Sequence, residues 1–327
     1  MRLIHDQVVH KRYYAPICSF AYVLSWINGL LMVFLPFILA YGGSAFWIRS
    51  INYVEQPKVE YTYQVMLIVQ GTRIDGNGNE IGFSAFWSTL PSRINQLVAP
   101  ILRSAQIRSY ADDDNQDGLV DRFSMEVVIP VSSSEIINSV ALLAAYNVTI
   151  QSHAKLSMDS VVYLSHTSPL SGAALYTFCD LELNAKNSLQ ITPSTMTPYA
   201  NDILFNTTKM FHADDLRFEN FLLKQNRRSN KAQARHQQSV WVKEPIESKL
   251  SERQFVLNAT VNIPPSDISY VPSLYENLQQ GWMQYYGMFV IVSYFLSTIT
   301  NFALEQRMVS SVEHVTRDTG PLSHFRA

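Results

Sequence analysis

The sequence predicts a membrane protein with two spans and a mainly β domain, antiparallel and sandwich-like, between them. The chain carries no Asp, Glu, Lys or Arg from Tyr13 to Ile48, and none from Asn277 to Leu304. Between these windows, β-branched and aromatic segments alternate with turns rich in Pro and Gly. We therefore expect a cytosolic tail at 1–16, a first transmembrane helix at 17–41, an extracellular or lumenal domain at 42–281, a second transmembrane helix at 282–304 and a cytosolic tail at 305–327.

Composition agrees with a chain that is partly removed from water. Charged residues make up 16% of the 327 residues, against about 25% in a typical soluble domain. The net charge of -2 gives no reason to expect a nucleic-acid partner. The two cysteines, Cys18 and Cys179, exclude a disulfide-rich scaffold and a zinc cluster built on cysteine.

Both uncharged windows have the length and the flanks of a membrane span. A spanning helix needs about 20 mostly apolar residues, and aromatic residues such as Trp282 and Tyr285 belong at the interface. The alternative for the first window is a cleaved signal peptide, with Ala40 and Gly42 as the small residues at the cleavage site. The apolar part of a signal peptide is only about 7–15 residues long, so an uncleaved helix is favoured.

Lys and Arg near the spans set the expected orientation. Positive charge concentrates on the cytosolic side of membrane proteins. The two tails hold most of the Lys and Arg residues near the spans, and only Arg49 and Lys58 lie close to a span on the other side of the membrane. Both tails are therefore expected in the cytosol, where their basic residues are Arg2, Lys11, Arg12, Arg307 and Arg317.

Within the middle region the pattern predicts a series of strands and one helical stretch. Residues 214–235 have more helical character. The predicted strands are 59–70, 122–129, 136–151, 160–165, 173–183 and 254–263.

An Asp-rich segment is the sharpest local motif. Calcium prefers six to eight oxygen ligands in a flexible loop, and the spacing D-x-N-x-D-G-x-x-D supplies oxygens at alternate positions. A complete EF-hand loop would carry Glu at its twelfth position, where Ser124 stands. A shorter calcium loop and an acidic β-turn both remain open. The predicted ligands are Asp113, Asn115, Asp117 and Asp121, with Gly118 at the turn.

A second group, Asp75, Asn77 and Asn79, repeats the start of this spacing. Glu80 stands where the glycine is needed, so a hairpin turn is expected there instead.

Three N-x-S/T sequons lie in the middle region, where the predicted topology permits N-glycosylation. Chance alone predicts a similar number in a chain of this composition. The acceptors are Asn147, Asn206 and Asn258.

Small or polar residues recur every four positions in both spans. Such spacing lets helix backbones approach closely, although small residues are common in membrane helices in general. The predicted packing residues are Ala21, Ser25, Gly29, Ser293, Ser297 and Asn301.

Other motifs of known chemistry are missing from the sequence. No metalloprotease, nucleophile-elbow, phosphate-loop or dinucleotide signature occurs, and no enzyme activity is expected. The basic segment 224–235 is interpreted as a solvated face, with a polyanion site as the alternative.

The sequence resembles the transmembrane protein 231 family over most of its length. Four segments carry the resemblance: AFWIR at 45–49 with YVEQP at 53–57, GFSAFWST at 82–89, DDNQDG at 113–118, and ISYVP at 268–272 leading into WMQY at 282–285. The segments at 75–82 and 224–235 look longer than the family requires.

The resemblance implies a structural component of the ciliary transition zone, within the tectonic-like, or Meckel syndrome, complex. That complex forms a diffusion barrier between the plasma and ciliary membranes and supports cilium assembly and signalling. The implied partners are tectonic, B9-domain and Meckel syndrome complex proteins, together with membrane lipid.

A two-helix ligand-gated channel or receptor with a large ectodomain is the alternative of another class. A pore would tend to carry rings of charged side chains, and neither predicted span holds a charge.

Overall fold

The computed structural model describes residues 9–17, 19–43, 47–243 and 253–317. Arg2, Cys18 and the end of the predicted C-terminal tail lie outside these residues. The helices are α1 (Phe20–Gly42), α2 (Ser92–Asn95), α3 (Phe218–Arg227) and α4 (Leu274–Glu305). The strands are β1 (Val9–Tyr14), β2 (Ile51–Glu55), β3 (Lys58–Ile74), β4 (Glu80–Ser88), β5 (Gln106–Asp112), β6 (Arg122–Val131), β7 (Glu135–Ile150), β8 (Leu156–Thr167), β9 (Gly172–Ala185), β10 (Leu189–Gln190), β11 (Asn230–Lys243), β12 (Arg253–Asn262), β13 (Ser266–Val271) and β14 (Val312–Arg317).

The predicted fold class is confirmed: two helices long and apolar enough to span a membrane flank a mostly antiparallel β domain. The chain divides into two compact units. The β domain is Ser50–Val271, and the helix unit comprises the segments before and after it, with α1, α4, β1 and β14. Helix α4 begins at Leu274, ahead of the predicted span at 282–304. The limits of the spans within the two helices stay a prediction.

The β domain contains two large sheets and one small sheet. The four-stranded sheet has the order β4-β3-β7-β8 and is antiparallel throughout. The five-stranded sheet has the order β11-β9-β12-β6-β5, in which β9 and β12 run parallel. The small sheet has the order β10-β13-β2. Each of the six predicted strands overlaps an observed strand.

The inner faces of the two large sheets form the main core. Strand β6 shows why the chain forms a strand here: alternate residues from Phe123 to Ile129 are buried and their neighbours are not. Leu67 and Tyr146 of the four-stranded sheet belong to the same buried cluster as Leu257 of the five-stranded sheet. Each fully buried side chain of this size contributes about 1.5–3 kcal/mol through the hydrophobic effect.

A second buried cluster covers the outer face of the four-stranded sheet. Met66 and Leu143 point away from the main core and pack with Ile94 of α2 and with Phe218 and Phe221 of α3. Because β3 and β7 are covered on both faces, each contains a continuous buried run instead of simple alternation.

The helical interpretation of 214–235 is correct only for its middle part. A single turn of 3₁₀ helix at Ala213–Leu216 precedes α3, which ends at Arg227, and the chain is extended from Arg228 onward. Residues Asn230–Lys243 form β11, which pairs with β9 along nearly its whole length. Pairing with a strand distant in sequence therefore overrides the local helical preference.

The pair Arg103–Glu135 joins the start of β7 to the segment before β5. Both carboxylate oxygens of Glu135 accept hydrogen bonds from the guanidinium, at 2.6 and 2.7 Å, and the backbone N–H of Ser132 donates to the same carboxylate. The side chain of Glu135 is only 3% exposed. The hydrogen bonds from Arg103 hold the pKa of Glu135 below its ordinary value.

We expect Glu135→Gln to lower the free energy of unfolding by about 2–3 kcal/mol near neutral pH, because Arg103 would lose the partner of its charge. Since the folded-state pKa of Glu135 is depressed, the stabilisation is present above the ordinary pKa of glutamate. It is lost as the pH falls through the lower, folded-state value. The difference in Tm between wild type and variant should thus be largest near pH 7 and shrink below about pH 4. Glu60→Gln is the control, because the pair Lys58–Glu60 is exposed and should contribute less than about 1 kcal/mol. Equal shifts in Tm for both variants would contradict a stabilising role for the buried Arg103–Glu135 pair.

Candidate functional site

The helix unit presents a surface that suits lipid. Helices α1 and α4 pack against each other, yet only 11% and 6% of their most apolar windows are buried. Large apolar side chains such as Trp26, Phe34 and Phe295 are exposed. In water such a surface would favour aggregation, whereas in a bilayer it faces lipid of matching polarity. Both helices are therefore suited to anchor the chain in a membrane.

Both helices begin at satisfied N-termini. The side chain of Ser19 accepts a hydrogen bond from the backbone N–H of Tyr22 at the start of α1. At the start of α4, Ser273 and Glu276 form a reciprocal capping box. These caps fix where each helix begins, which hydropathy alone does not determine.

Polar contacts tie α1 and α4 together at two levels. The hydroxyl of Tyr285 donates to the backbone carbonyl of Val33 at 3.3 Å. The side chain of Asn277, which is buried, accepts from the backbone N–H of Ile48 just beyond the end of α1. Ile48 is thus linked to the first turn of α4.

Most of the predicted small-residue positions lie off the buried stripe of α1 and α4. Pro36 and Ala40 are the buried residues of α1. Half-buried residues on the same side of the helix extend this stripe toward its N-terminus, at Met32, Asn28 and Leu24. Ser25 and Gly29 stand one position further, about 100° around the helix, and a Cβ on Gly29 would meet no atom within 4 Å. Ala21 and Ser293 are half-buried, and the exposed members are Ser25, Gly29, Ser297 and Asn301.

Strands β1 and β14 join the two tails into a two-stranded ribbon. Strand β1 precedes α1 and β14 follows α4, and the two pair antiparallel from Val9 opposite Arg317 to Tyr14 opposite Val312. The ribbon therefore holds both tails at the same end of the helix pair. No local pattern in the sequence signalled this pairing.

The Asp-rich loop connects β5 and β6 in the β domain. Its side chains fold back on its own backbone: the N–H of Gly118 donates to Asp113, that of Asp117 to Asn115, and that of Leu119 to Asp117. Gly118 has φ +86°, a conformation that glycine adopts without strain. The glycine predicted at the sharp turn is therefore where the backbone requires one.

Asp121 anchors the other end of the loop. Its carboxylate accepts hydrogen bonds from Gln56 at 2.9 Å and from the backbone N–H of Asp114 at 2.9 Å. These contacts, led by that of Gln56, hold the pKa of Asp121 below its ordinary value. Arg122 adds an ion pair to Asp114 at 2.6 Å. The loop thus satisfies much of its own negative charge.

The calcium prediction for this loop stays a prediction. Oδ1 of Asp113 is buried and accepts no hydrogen bond within the part of the chain that the structure describes. That oxygen is available to a cation. In the described ranges, however, no three His, Cys, Asp or Glu side chains come together as a metal site. Any calcium would need the amide oxygen of Asn115, backbone carbonyls and water to complete six ligands.

The three predicted glycosylation sites fall in different surroundings, and all three side chains are half-buried. Asn147 lies in β7 and accepts a hydrogen bond from the hydroxyl of Ser157. Asn206 precedes a 3₁₀ turn and accepts from the N–H and the hydroxyl of Thr208. Asn258 lies in β12, the middle strand of the five-stranded sheet.

The basic segment 224–235 is only partly the solvated face that the sequence predicts, since Arg227 and Arg235 are exposed whereas Arg228 is buried. Arg228 is only 4% exposed; it donates to the carboxylate of Asp159 at 2.8 Å and lies 4.2 Å from the ring of Tyr199. Lys224 pairs with Asp202 at 2.8 Å, which holds the pKa of that carboxyl below its ordinary value. Two of the basic residues are therefore structural, and sequence spacing could not reveal their partners.

The hairpin turn expected at 75–80 is present between β3 and β4. The N–H of Asp75 donates to the carbonyl of Asn79, and that of Gly78 donates to the carbonyl of Asp75. Gly78 has φ +81°, so the glycine in this turn fits the geometry that the backbone needs.

Comparison with known proteins identifies one family. The family model described as "Transmembrane protein 231" matches residues 1–313. Curated relatives named "Transmembrane protein 231" include one from Xenopus tropicalis, 27% identical over 92% of this chain and 92% of the relative, and one from Homo sapiens, 27% identical over 96% of this chain and 95% of the relative. A solved proton-activated chloride channel covers 86% of this chain and 98% of its own, at 10% identity and a TM-score of 0.25. A score that low carries no argument about fold or function.

We expect Ca²⁺ at about 1 mM to raise the Tm of the full chain in detergent by about 3–5 °C, if the site has a dissociation constant of about 10⁻⁴ M. Asp117→Asn should abolish this increase, because it removes a ligand charge while keeping an oxygen that can accept the N–H of Leu119. Asp75→Asn, in the β3–β4 hairpin, is the matched control and should leave the increase intact.

Gly118→Val should lower the Tm with or without calcium, because of its positive φ. A wild-type melting curve that calcium does not move would identify the loop as an acidic turn.

Proposed function

Because this chain belongs to the transmembrane protein 231 family, we propose that it is a structural membrane component of the ciliary transition zone. It would act within the tectonic-like, or Meckel syndrome, complex as part of the diffusion barrier between the plasma and ciliary membranes, in support of cilium assembly and signalling. The family match over residues 1–313 is the observation that carries the proposal. The two apolar helices support it, because a barrier in a membrane needs anchored components.

Both tails are proposed to lie in the cytosol and the β domain outside it, in the extracellular space or the lumen. The β1–β14 ribbon supports the first part, because strands that pair directly must lie on one side of a bilayer. Lys11, Arg12, Arg307 and Arg317 support the cytosolic assignment, through the preference of positive charge for that side.

The proposed activity is binding of neighbours, not turnover of a substrate. The partners would be tectonic, B9-domain and Meckel syndrome complex proteins. In the membrane, we propose that the exposed small residues receive a helix of such a partner, since small side chains let two backbones approach closely. Ser25 and Gly29 already line a shallow depression with Trp26 and Leu30.

The topology can be tested with an epitope tag at either end. Protease added to intact ciliated cells should leave both tags attached and should cut within the β domain, Ser50–Val271. After the membrane is permeabilised, both tags should become sensitive. A mature protein that has lost an N-terminal tag would instead support the signal-peptide alternative.

The role can be tested by localisation and by two matched glycine variants. The tagged wild-type chain should concentrate at the base of the cilium, and its loss should let non-ciliary membrane proteins enter the cilium. Gly29→Leu should reduce co-purification of other complex members, whereas Gly287→Leu in α4 should not. Neither glycine has an atom within 4 Å of an added Cβ, so both variants should fold. Absence of the wild-type chain from the transition zone would overturn the proposal.

A further inference from the structure

The outer face of the five-stranded sheet is an exposed aromatic surface. Tyr176 and Phe178 of β9 are 40% and 43% exposed, and Val240 of β11 is 57% exposed. The corresponding face of the four-stranded sheet is covered by the second buried cluster. Exposed apolar surface of this kind marks a site that something covers, or a site of aggregation.

Asn258 lies at the centre of this face. It is directly opposite Tyr176 on one side and Glu126 on the other. Paired residues of adjacent strands share a face, so the row across the sheet runs Val240, Tyr176, Asn258, Glu126, Arg108.

Thr260, the hydroxyl residue of the same sequon, lies in the neighbouring row. It is opposite Phe178 on β9 and Ser124 on β6, and Tyr110 stands beyond Ser124 on β5. The sequon Asn258-Ala259-Thr260 therefore has Tyr176 and Phe178 at one side. On the other side are the half-buried Glu126 and Ser124, with the exposed Arg108 and Tyr110 beyond them.

We propose that an N-linked glycan on Asn258 lies over this face, packs against Tyr176 and Phe178, and shields the apolar surface of the β domain. Pyranose rings fit such a surface, because one face of the ring is lined by C–H groups and its hydroxyls remain free for water or for Glu126 and Arg108. The glycan is a bulky, solubilising group, and its covalent attachment to β12 fixes it directly beside the apolar patch on β9 and β11.

The chemistry of attachment requires only the usual donor of the secretory pathway. Nδ2 of Asn258 forms a bond to the anomeric carbon of the first sugar of a lipid-diphosphate-linked oligosaccharide. The amide nitrogen loses one proton, and the lipid diphosphate leaves. Since β12 is hydrogen-bonded to β6 and β9, the transfer must precede folding of the sheet.

The other two sequons lack this relation to an aromatic surface. Asn147 is opposite Asp159 and Glu60, and Asn206 follows Phe205, which belongs to the second buried cluster on the four-stranded sheet. Asn206 therefore supplies a control glycan with no shielding role.

The first experiment measures occupancy, and it rests on the proposed topology of the β domain. The full chain is expressed in mammalian cells as wild type and as Asn147→Gln, Asn206→Gln and Asn258→Gln, and mobility is compared with and without glycosidase. Asn258→Gln should lose one glycan step. Occupancy at Asn147 or Asn206 without Asn258 would overturn the inference and leave the topology standing. Lack of any glycan would overturn the inference, and the protease test of the two tags would then decide the topology separately.

The second experiment measures shielding. Asn258→Gln should raise the detergent-insoluble fraction about twofold or more, whereas Asn206→Gln should not. Adding Tyr176→Thr and Phe178→Thr to Asn258→Gln should restore solubility, because threonine keeps the strand preference and removes the aromatic rings. Equal behaviour of the Asn258 and Asn206 variants would overturn the proposal. A second result would also overturn the proposal. If the unglycosylated chain is soluble and the Tyr176 and Phe178 substitutions abolish co-purification of a protein partner, then that protein, and not a glycan, covers the face.

Discussion

The β domain depends on the contact between the inner faces of its two large sheets. A sheet has two faces, and the core that the two sheets share covers only the inner face of each sheet. Leu67, Tyr146 and Leu257 lie in that core, together with Cys179, a free thiol whose pKa burial raises to about 12. Within the described residues this packing, and not a disulfide, holds the sheets together. The two outer faces are left to be covered in other ways.

The outer face of the four-stranded sheet is covered by apolar residues of short helices, and polar side chains fix that cover in place. Gln225 of α3 is buried and forms two hydrogen bonds with the backbone of Val161 at about 3.0 Å, together with one to the carbonyl of Ala232. Arg228 adds contacts to Asp159 and to the carbonyl of Asp202. Because these groups are buried, leaving any of them unpaired would cost about 1–3 kcal/mol or more. The cover is thus specified by hydrogen bonds as well as by apolar contact.

The sequence predicts the features that depend on local pattern. Charge-free windows give the two membrane helices, and alternation gives strands such as β6. The Gly118 turn also follows from residue type, since its φ requires glycine. Features that depend on partners far along the chain do not follow from local pattern. The pattern assigns residues 230–235, the start of β11, to a helix and places Arg228 in solvent, and it gives no sign of the β1–β14 pairing. The small-residue spacing predicts packing at Ser25 and Gly29, which lie on a face that the α1–α4 pair leaves exposed. Spacing alone does not determine which face of a helix contacts a given partner.

The β1–β14 ribbon has a consequence for the order of synthesis. Its two strands come from opposite ends of the described chain, so β1 has no partner until α4 has been inserted and β14 has left the ribosome. A chain that stops after α4 would keep both helices but would leave β1 with two open edges, a state prone to pair with foreign strands. Closure of the ribbon therefore distinguishes a chain that has reached β14 from one that was interrupted before it.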